Sequence, residues 1–142
     1  MATRVQVAID CTDPANLSAF WAFALHYHLQ DPPEGFPSWP AFLESQGIPN
    51  DRWNDFSAIV DPGAIGPRIF FQKVPEGKAA KNRLHLDLNV TPEDHYDEQQ
   101  QYVMREVTRL VGAGATKVRE VEQMGEFWVV MQDPEGNEFC LQ

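Results

Sequence analysis

The chain has 142 residues, with 11 Lys plus Arg against 21 Asp plus Glu, a formal net charge of −10, and 43% of it is hydrophobic. That length supports one domain or two small halves sharing a core, and the composition excludes disorder. The acidic excess sets the chain against phosphate backbones and anionic lipid, so neither nucleic acid nor a membrane surface is expected as a partner. No apolar run is long enough for a signal peptide or a membrane span, which points to the cytoplasm. The two cysteines, Cys11 and Cys140, stand at opposite ends without zinc spacing or a disulfide framework.

In chain order, residues 5–11 alternate apolar with small or polar and read as a strand. Asp13 and Pro14 open a helix, with Asp13 able to cap and Pro14 suited to the first helical position. Leu17, Phe20, Trp21, Ala24, Leu25 and His28 recur at helical spacing, so the helix is expected to run about four turns. Residues 30–55 are irregular and rich in Pro and aromatics, with a short helix expected over 39–44. Strands follow at 57–60 and 68–74. The turn at residues 75–78 marks a boundary between halves.

The second half opens on the stretch that organises the rest. Over residues 82–90, Leu84, Leu86, Leu88 and Val90 fall on one face and Arg83, His85, Asp87 and Asn89 on the other, with successive side chains of one face about 7 Å apart. Thr91 with Asp94 approximates a capping box for a helix carrying Tyr96, Gln100, Val103, Val107 and Leu110 on one face. Strands are expected at 115–121 and 127–131. The turn Asp133-Pro134-Glu135-Gly136 leads into a last strand, 137–142.

Each half thus runs strand, capped helix, then strands, with an Asp-Pro turn before the last strand (Asp61-Pro62, Asp133-Pro134). The expected fold is α+β: two βαβββ modules, 1–78 with a loop-rich insertion at about 30–56 and 79–142. Their curved mixed sheet would form a half-barrel with helices outside and a cleft inside.

The runs Asp10-Cys11-Thr12-Asp13-Pro14 to Phe20-Trp21, Phe71 to Lys78, Lys81 to Asp87 and Asp133 to Cys140 resemble the glyoxalase-like branch of the vicinal oxygen chelate superfamily. That superfamily includes bleomycin-resistance-type binding proteins and extradiol dioxygenases, and the resemblance spans essentially the whole chain. It implies a protein, often a homodimer, that takes a small organic ligand. Either it acts as a lyase or isomerase, or it sequesters its ligand as resistance-type members do. In metal-using members, four cleft-facing strand positions hold a divalent ion. Here they fall on Gln6, Gln72, His85 and Cys140, a degenerate set without a carboxylate. Mg²⁺, Ni²⁺ and Fe²⁺ favour carboxylate and imidazole, so no cofactor is expected. A divalent metal held by these four positions, with zinc on His85 and Cys140, is the alternative.

His85 is the first candidate for acid–base chemistry, because imidazole titrates near neutral pH. Its plainer role is a cleft histidine bonded to a neighbour. Asp87 and Arg83 share its face, either to orient it and bind a substrate carboxylate or to pair with each other. Glu138 is a candidate acid or base if burial raises its pKa, otherwise a surface carboxylate. Cys140 is a nucleophile if His85 activates it, otherwise a small buried thiol. Gln6 and Gln72 are ligand-bonding candidates, or bond each other or water. Trp39 and Trp53 are candidate lid residues that stack on a flat ligand. Trp128 is a candidate of the same kind, with core packing the stronger reading for it.

Overall fold

The computed structural model describes residues 2–142, and its backbone divides into two units, Met1–Gly77 and Lys78–Gln142. In the first, β1 (Val7–Cys11), α1 (Pro14–Leu25), β2 (His28–Leu29), α2 (Trp39–Ser45), β3 (Phe56–Val60) and β4 (Ile69–Lys73) follow in order. The sheet order is β1-β4-β3-β2, with β1 parallel to β4 and the other pairs antiparallel. In the second, β5 (Leu86–Leu88), α3 (Gln99–Gly112), β6 (Thr116–Gln123), β7 (Glu126–Gln132) and β8 (Glu138–Leu141) give the order β5-β8-β7-β6, again with only the first pair parallel. The fold is α+β, and the two modules share one βαβββ topology.

Each sheet has one face under its helix. In the first module Leu17, Phe20, Trp21 and Ala24 of α1 are buried, as are Ile59, Ile69 and Phe71 of the sheet. Ser18 adds a hydroxyl contact to Ser57 of β3 at 2.7 Å, so the one buried polar group on that side of α1 is satisfied. Asp13 caps α1 by accepting from the Asn16 N–H at 3.2 Å and from Asn54 Nδ2 at 2.8 Å, and Asn54 Oδ1 accepts from the Ala15 N–H. Residues 30–55 are thereby tied to the helix start. The helix is shorter than its stripe predicts. His26 takes a left-handed backbone (φ 57) with its N–H turned back to Ala22, which ends α1 at Leu25. His28 therefore leaves the helical stripe and lies exposed on β2, opposite Val60.

In the second module Val103, Val107 and Leu110 of α3 are buried with Val129, Met131, Phe139 and Leu141, all four of the latter at 0% exposure. Cross-strand pairing sets Val129 beside Leu141 and Met131 beside Phe139. Here the strand expected over 82–90 is cut to three residues. Leu84 is 88% exposed rather than on the apolar face. The cause is Asn82, whose side chain takes over the pairing: Oδ1 accepts from the Glu138 N–H and Nδ2 donates to the Glu138 carbonyl, both at 3.3 Å. The backbone of residues 83–85 then has no ladder to join. Beyond Leu88 the pairing does continue, through Val90 N–H to Gln142 O at 2.8 Å.

The capping box expected at Thr91 and Asp94 does not form. Residues Glu93–Glu98 make a 3-10 segment broken at His95, no side chain caps either helical start, and the Thr91 hydroxyl is buried without a partner. Asp94 bonds His95 instead. Tyr96, in this segment, is 69% exposed and does not join the apolar face of α3.

The two Asp-Pro turns are built alike. Asp61 accepts from the N–H groups of Gly63, Ile65 and Gly66 at 2.7–2.9 Å. Asp133 accepts from Glu135 and Asn137 at 2.9 and 3.0 Å. Gly66 packs so closely under Tyr27 that a Cβ there would overlap the tyrosine hydroxyl. Bonds to Gly66, Gly63 and Ile65 hold the Asp61 carboxyl below its ordinary value of 3.8. A group depressed in the fold stabilises it above the unfolded pKa and loses that contribution as pH falls through the lower folded value. Asp61→Asn is therefore expected to lower the urea midpoint near neutral pH and to shrink the loss between about pH 5 and pH 2. Equal acid sensitivity of the two proteins would show that the turn contributes nothing.

Candidate functional site

β8 alternates, sending Phe139 and Leu141 under α3 and Glu138 and Cys140 to the opposite, open face. Register builds a row across that face: Asp87 of β5 opposes Cys140, Cys140 opposes Val130 of β7, and Val130 opposes Arg119 of β6. His85 precedes β5 by one residue and points the same way as Asp87. Its Nε2 lies 3.4 Å from Asp87 Oδ1, with each side chain 47% exposed. With Nε2 turned to the carboxylate, Nδ1 is the nitrogen left to act as base.

Asp87 is the hub of this group, since register sets it opposite Cys140 and its carboxylate lies within 4.8 Å of the thiol as well as beside the imidazole. Burial raises the Cys140 pKa first; the adjacent Asp87 carboxylate and the Glu138 charge raise it further, and Arg119 opposes them. Cys140 is thus a protonated thiol at neutral pH, which argues against a resting thiolate nucleophile. Asp87→Asn removes the charge and is expected to bring the thiol pKa down and speed alkylation by iodoacetamide at fixed pH. An unchanged or slower rate would detach Cys140 from Asp87.

The remaining predicted residues are scattered more widely. Glu138 is half-buried and meets Lys81 Nζ at 3.5 Å. Arg83 is exposed, and among the described residues it makes no hydrogen bond or ion pair; the alternative that it pairs with Asp87 fails, since Asp87 turns to His85. Trp128 is half-buried and alternates with the core residues Val129 and Met131, on the face of Val130 and Cys140. That face is itself closed at Val130, which is only 6% exposed. Trp39 donates to the Gln30 carbonyl at 2.7 Å and lies edge-on to Phe42 at 5.8 Å. Trp53 donates to the Ile48 carbonyl at 2.9 Å. Both indole N–H groups in the 30–56 segment are thus held by backbone.

In the first module Gln6 and Gln72 are not brought together, nor do they bond each other. The parallel register sets Asp10, not Gln6, opposite Gln72. Gln72 Nε2 donates to Asp10 Oδ1 at 2.5 Å, while Gln6 Oε1 accepts from Arg68 Nη1 at 2.9 Å. Each module therefore sets an aspartate beside the polar residue of its last strand: Asp10 by Gln72, Asp87 by Cys140.

The donor chemistry can be judged from these partners. A ring nitrogen of His85, a carboxylate oxygen of Asp87 and Cys140 Sγ lie within 4.8 Å of one another, a mixed N, O and S set of the kind zinc accepts. The four-position set does not fit a divalent ion as well. The Gln6 oxygen an ion would need already faces a guanidinium, and that fixed positive charge opposes a second cation.

Three participants escape a reading of the sequence: Asp10, Arg68 and Arg119. Alternation signals the face each occupies. What it lacks is the cross-strand register, and in β6 a bulge between Lys117 and Arg119 shifts the phase as well.

Comparison with known proteins agrees with this architecture. The sequence profile of the Glyoxalase-like domain matches residues 6–142. No curated protein matches the chain in sequence. A glyoxalase/bleomycin resistance protein/dioxygenase family enzyme from Burkholderia phytofirmans is similar in structure, with TM-score 0.62 and 21% identity over 96% of this chain and 94% of that one. The Listeria monocytogenes fosfomycin resistance protein FosX, solved as its E126Q mutant with Mn(II) and 1S,2S-dihydroxypropylphosphonic acid, gives TM-score 0.64 and 9% identity over 100% and 92%. A glyoxylase/bleomycin resistance protein/dioxygenase domain from Frankia gives 0.59 and 16% over 99% and 90%. With a profile match over nearly its whole length and a duplicated βαβββ topology, the chain belongs to the Glyoxalase-like domain family of the vicinal oxygen chelate superfamily.

Proposed function

We propose that the chain binds a small organic molecule against the open face of its second sheet, and that His85, oriented by Asp87, exchanges a proton with it without an essential metal. The observation that carries this reading is the gathering of His85 and Cys140 around the Asp87 carboxylate, with their polar atoms within 4.8 Å of one another. A carboxylate behind an imidazole fixes its tautomer and stabilises the imidazolium formed when it takes a proton. The reaction class is then a lyase or isomerase step: His85 takes a proton from one carbon of the bound molecule and returns it to the product. Glu138, on the same face as Cys140, is the candidate for a second acid. Metal independence is supported by the commitment of Gln6 to Arg68 and of Gln72 to Asp10. By family resemblance the protein works as a homodimer, and we place it in the cytoplasm.

Solvent isotope exchange tests the reading. Ligands are first found by thermal shift among small acids, thiol adducts and flat aromatics, since a bound ligand raises the melting temperature. In D₂O the wild type should then place deuterium on a carbon of its ligand, and His85→Gln should not. Tight binding with no exchange in either protein would mean sequestration, as in resistance-type members. A second reading rests on the His85, Asp87 and Cys140 donor atoms: a metal-dependent glyoxalase or dioxygenase.

A further inference from the structure

The open face of the first sheet carries a cation that no carboxylate neutralises. Arg68 directly precedes β4, and its half-buried side chain lies on the same face as Phe70 and Gln72. Its Nε donates to Gln30 Oε1 at 2.6 Å and its Nη1 to Gln6 Oε1 at 2.9 Å. Both acceptors are neutral amides. Among the described residues no Asp or Glu comes within 4.0 Å of the guanidinium, although the chain holds 21 acidic residues against 11 basic ones. Of the five N–H donors of an arginine, three remain, both on Nη2 among them.

The surroundings hold this group still. Gln30 is itself fixed, since its N–H bonds the Ala58 carbonyl at 2.9 Å and its carbonyl accepts from Trp39. The guanidinium carbon lies 5.4 Å from the centre of the Phe70 ring, within cation–π range. Phe70 stacks on Phe56 at 5.5 Å and 21°. On either side of Phe70 the register places Ala8 and Ala58, which add nothing beyond a methyl group. A pinned fork of donors therefore stands at one end of an aromatic floor with low walls. At the far end Asp10 beside Gln72 would repel a second negative charge.

We infer that Arg68 anchors the carboxylate of a planar aromatic monoacid whose ring lies on Phe70 and Phe56. An oriented guanidinium with spare donors matches a carboxylate in shape and charge, and a half-buried charge gains from meeting one. The ring supplies the apolar contact that the exposed Phe56 lacks. This goes beyond the role given to His85: it concerns other residues, names a ligand class, and stands or falls separately from proton exchange.

The test is calorimetric titration of the full chain with 2-naphthoate and with its neutral isostere 2-naphthamide. Wild type should bind the acid more tightly by at least about ten-fold, the worth of a charged hydrogen bond. Raising the salt should narrow that gap. Arg68→Gln should remove the preference, Arg68→Lys should keep part of it, and Arg105→Ala, a change of equal charge on α3, should leave it intact. Equal affinity for acid and amide in the wild type would overturn the inference without recourse to any variant. So would no binding of naphthoate at millimolar concentration, or an undiminished preference in a folded Arg68→Gln.

Discussion

Changing His85 to alanine is expected to slow turnover by about 10²–10⁴-fold, the usual worth of a positioned acid or base. The loss should fall on kcat and on kcat/KM alike, with KM little altered, because the imidazole acts in the transition state rather than in holding the ligand. Its neighbour supplies the control. Asp87→Asn keeps the size of the side chain and removes the charge that faces Nε2. Turnover should fall less than in His85→Ala, and the double variant should be no worse than His85→Ala alone, since Asp87 acts through the imidazole. Additive losses would separate the two residues. Unchanged turnover in His85→Ala would remove acid–base chemistry from this face.

The second large effect concerns the core. Phe139→Ala is expected to cost about 3–5 kcal/mol in urea denaturation, a large part of the roughly 5–15 kcal/mol that holds a domain folded. Phe139 is at 0% exposure, with Leu86 and Met131 beside it on the neighbouring strands. Its place in β8 is one residue from Cys140, so alternation puts the ring under α3 and the thiol on the open face. Phe71 beside Gln72 repeats this arrangement in β4, also at 0% exposure. A core ring therefore sets which way each last-strand polar residue points. A cost below about 1 kcal/mol would show that the site lacks this support.

Much of this was legible in the sequence, and the residues show where legibility ends. Period-two alternation put His85 and Asp87 together on one face, and the duplicated order of elements implied two βαβββ modules. What alternation cannot supply is the slip between strands. Placing Gln6 and Gln72 in one set needed a register that β1 and β4 do not adopt, and the amides go to Arg68 and Asp10 instead. Side-chain substitution for backbone was equally hidden. Asn82 occupies the edge of β8 with its amide and shortens β5, although the pattern through Leu84 was unbroken. A single left-handed residue, His26, ended α1 where the apolar stripe ran on.

The central claim is that His85, Asp87 and Cys140 serve as a protonic group rather than as ligands to an ion. Metal content measured by plasma mass spectrometry on the purified protein and on His85→Ala tests it most directly. The account predicts far less than one divalent ion per chain in both, with ligand-dependent deuterium exchange surviving prolonged chelation. One equivalent of zinc or another divalent ion per chain, absent from His85→Ala, with exchange abolished by chelation and restored by adding the metal back, would contradict it.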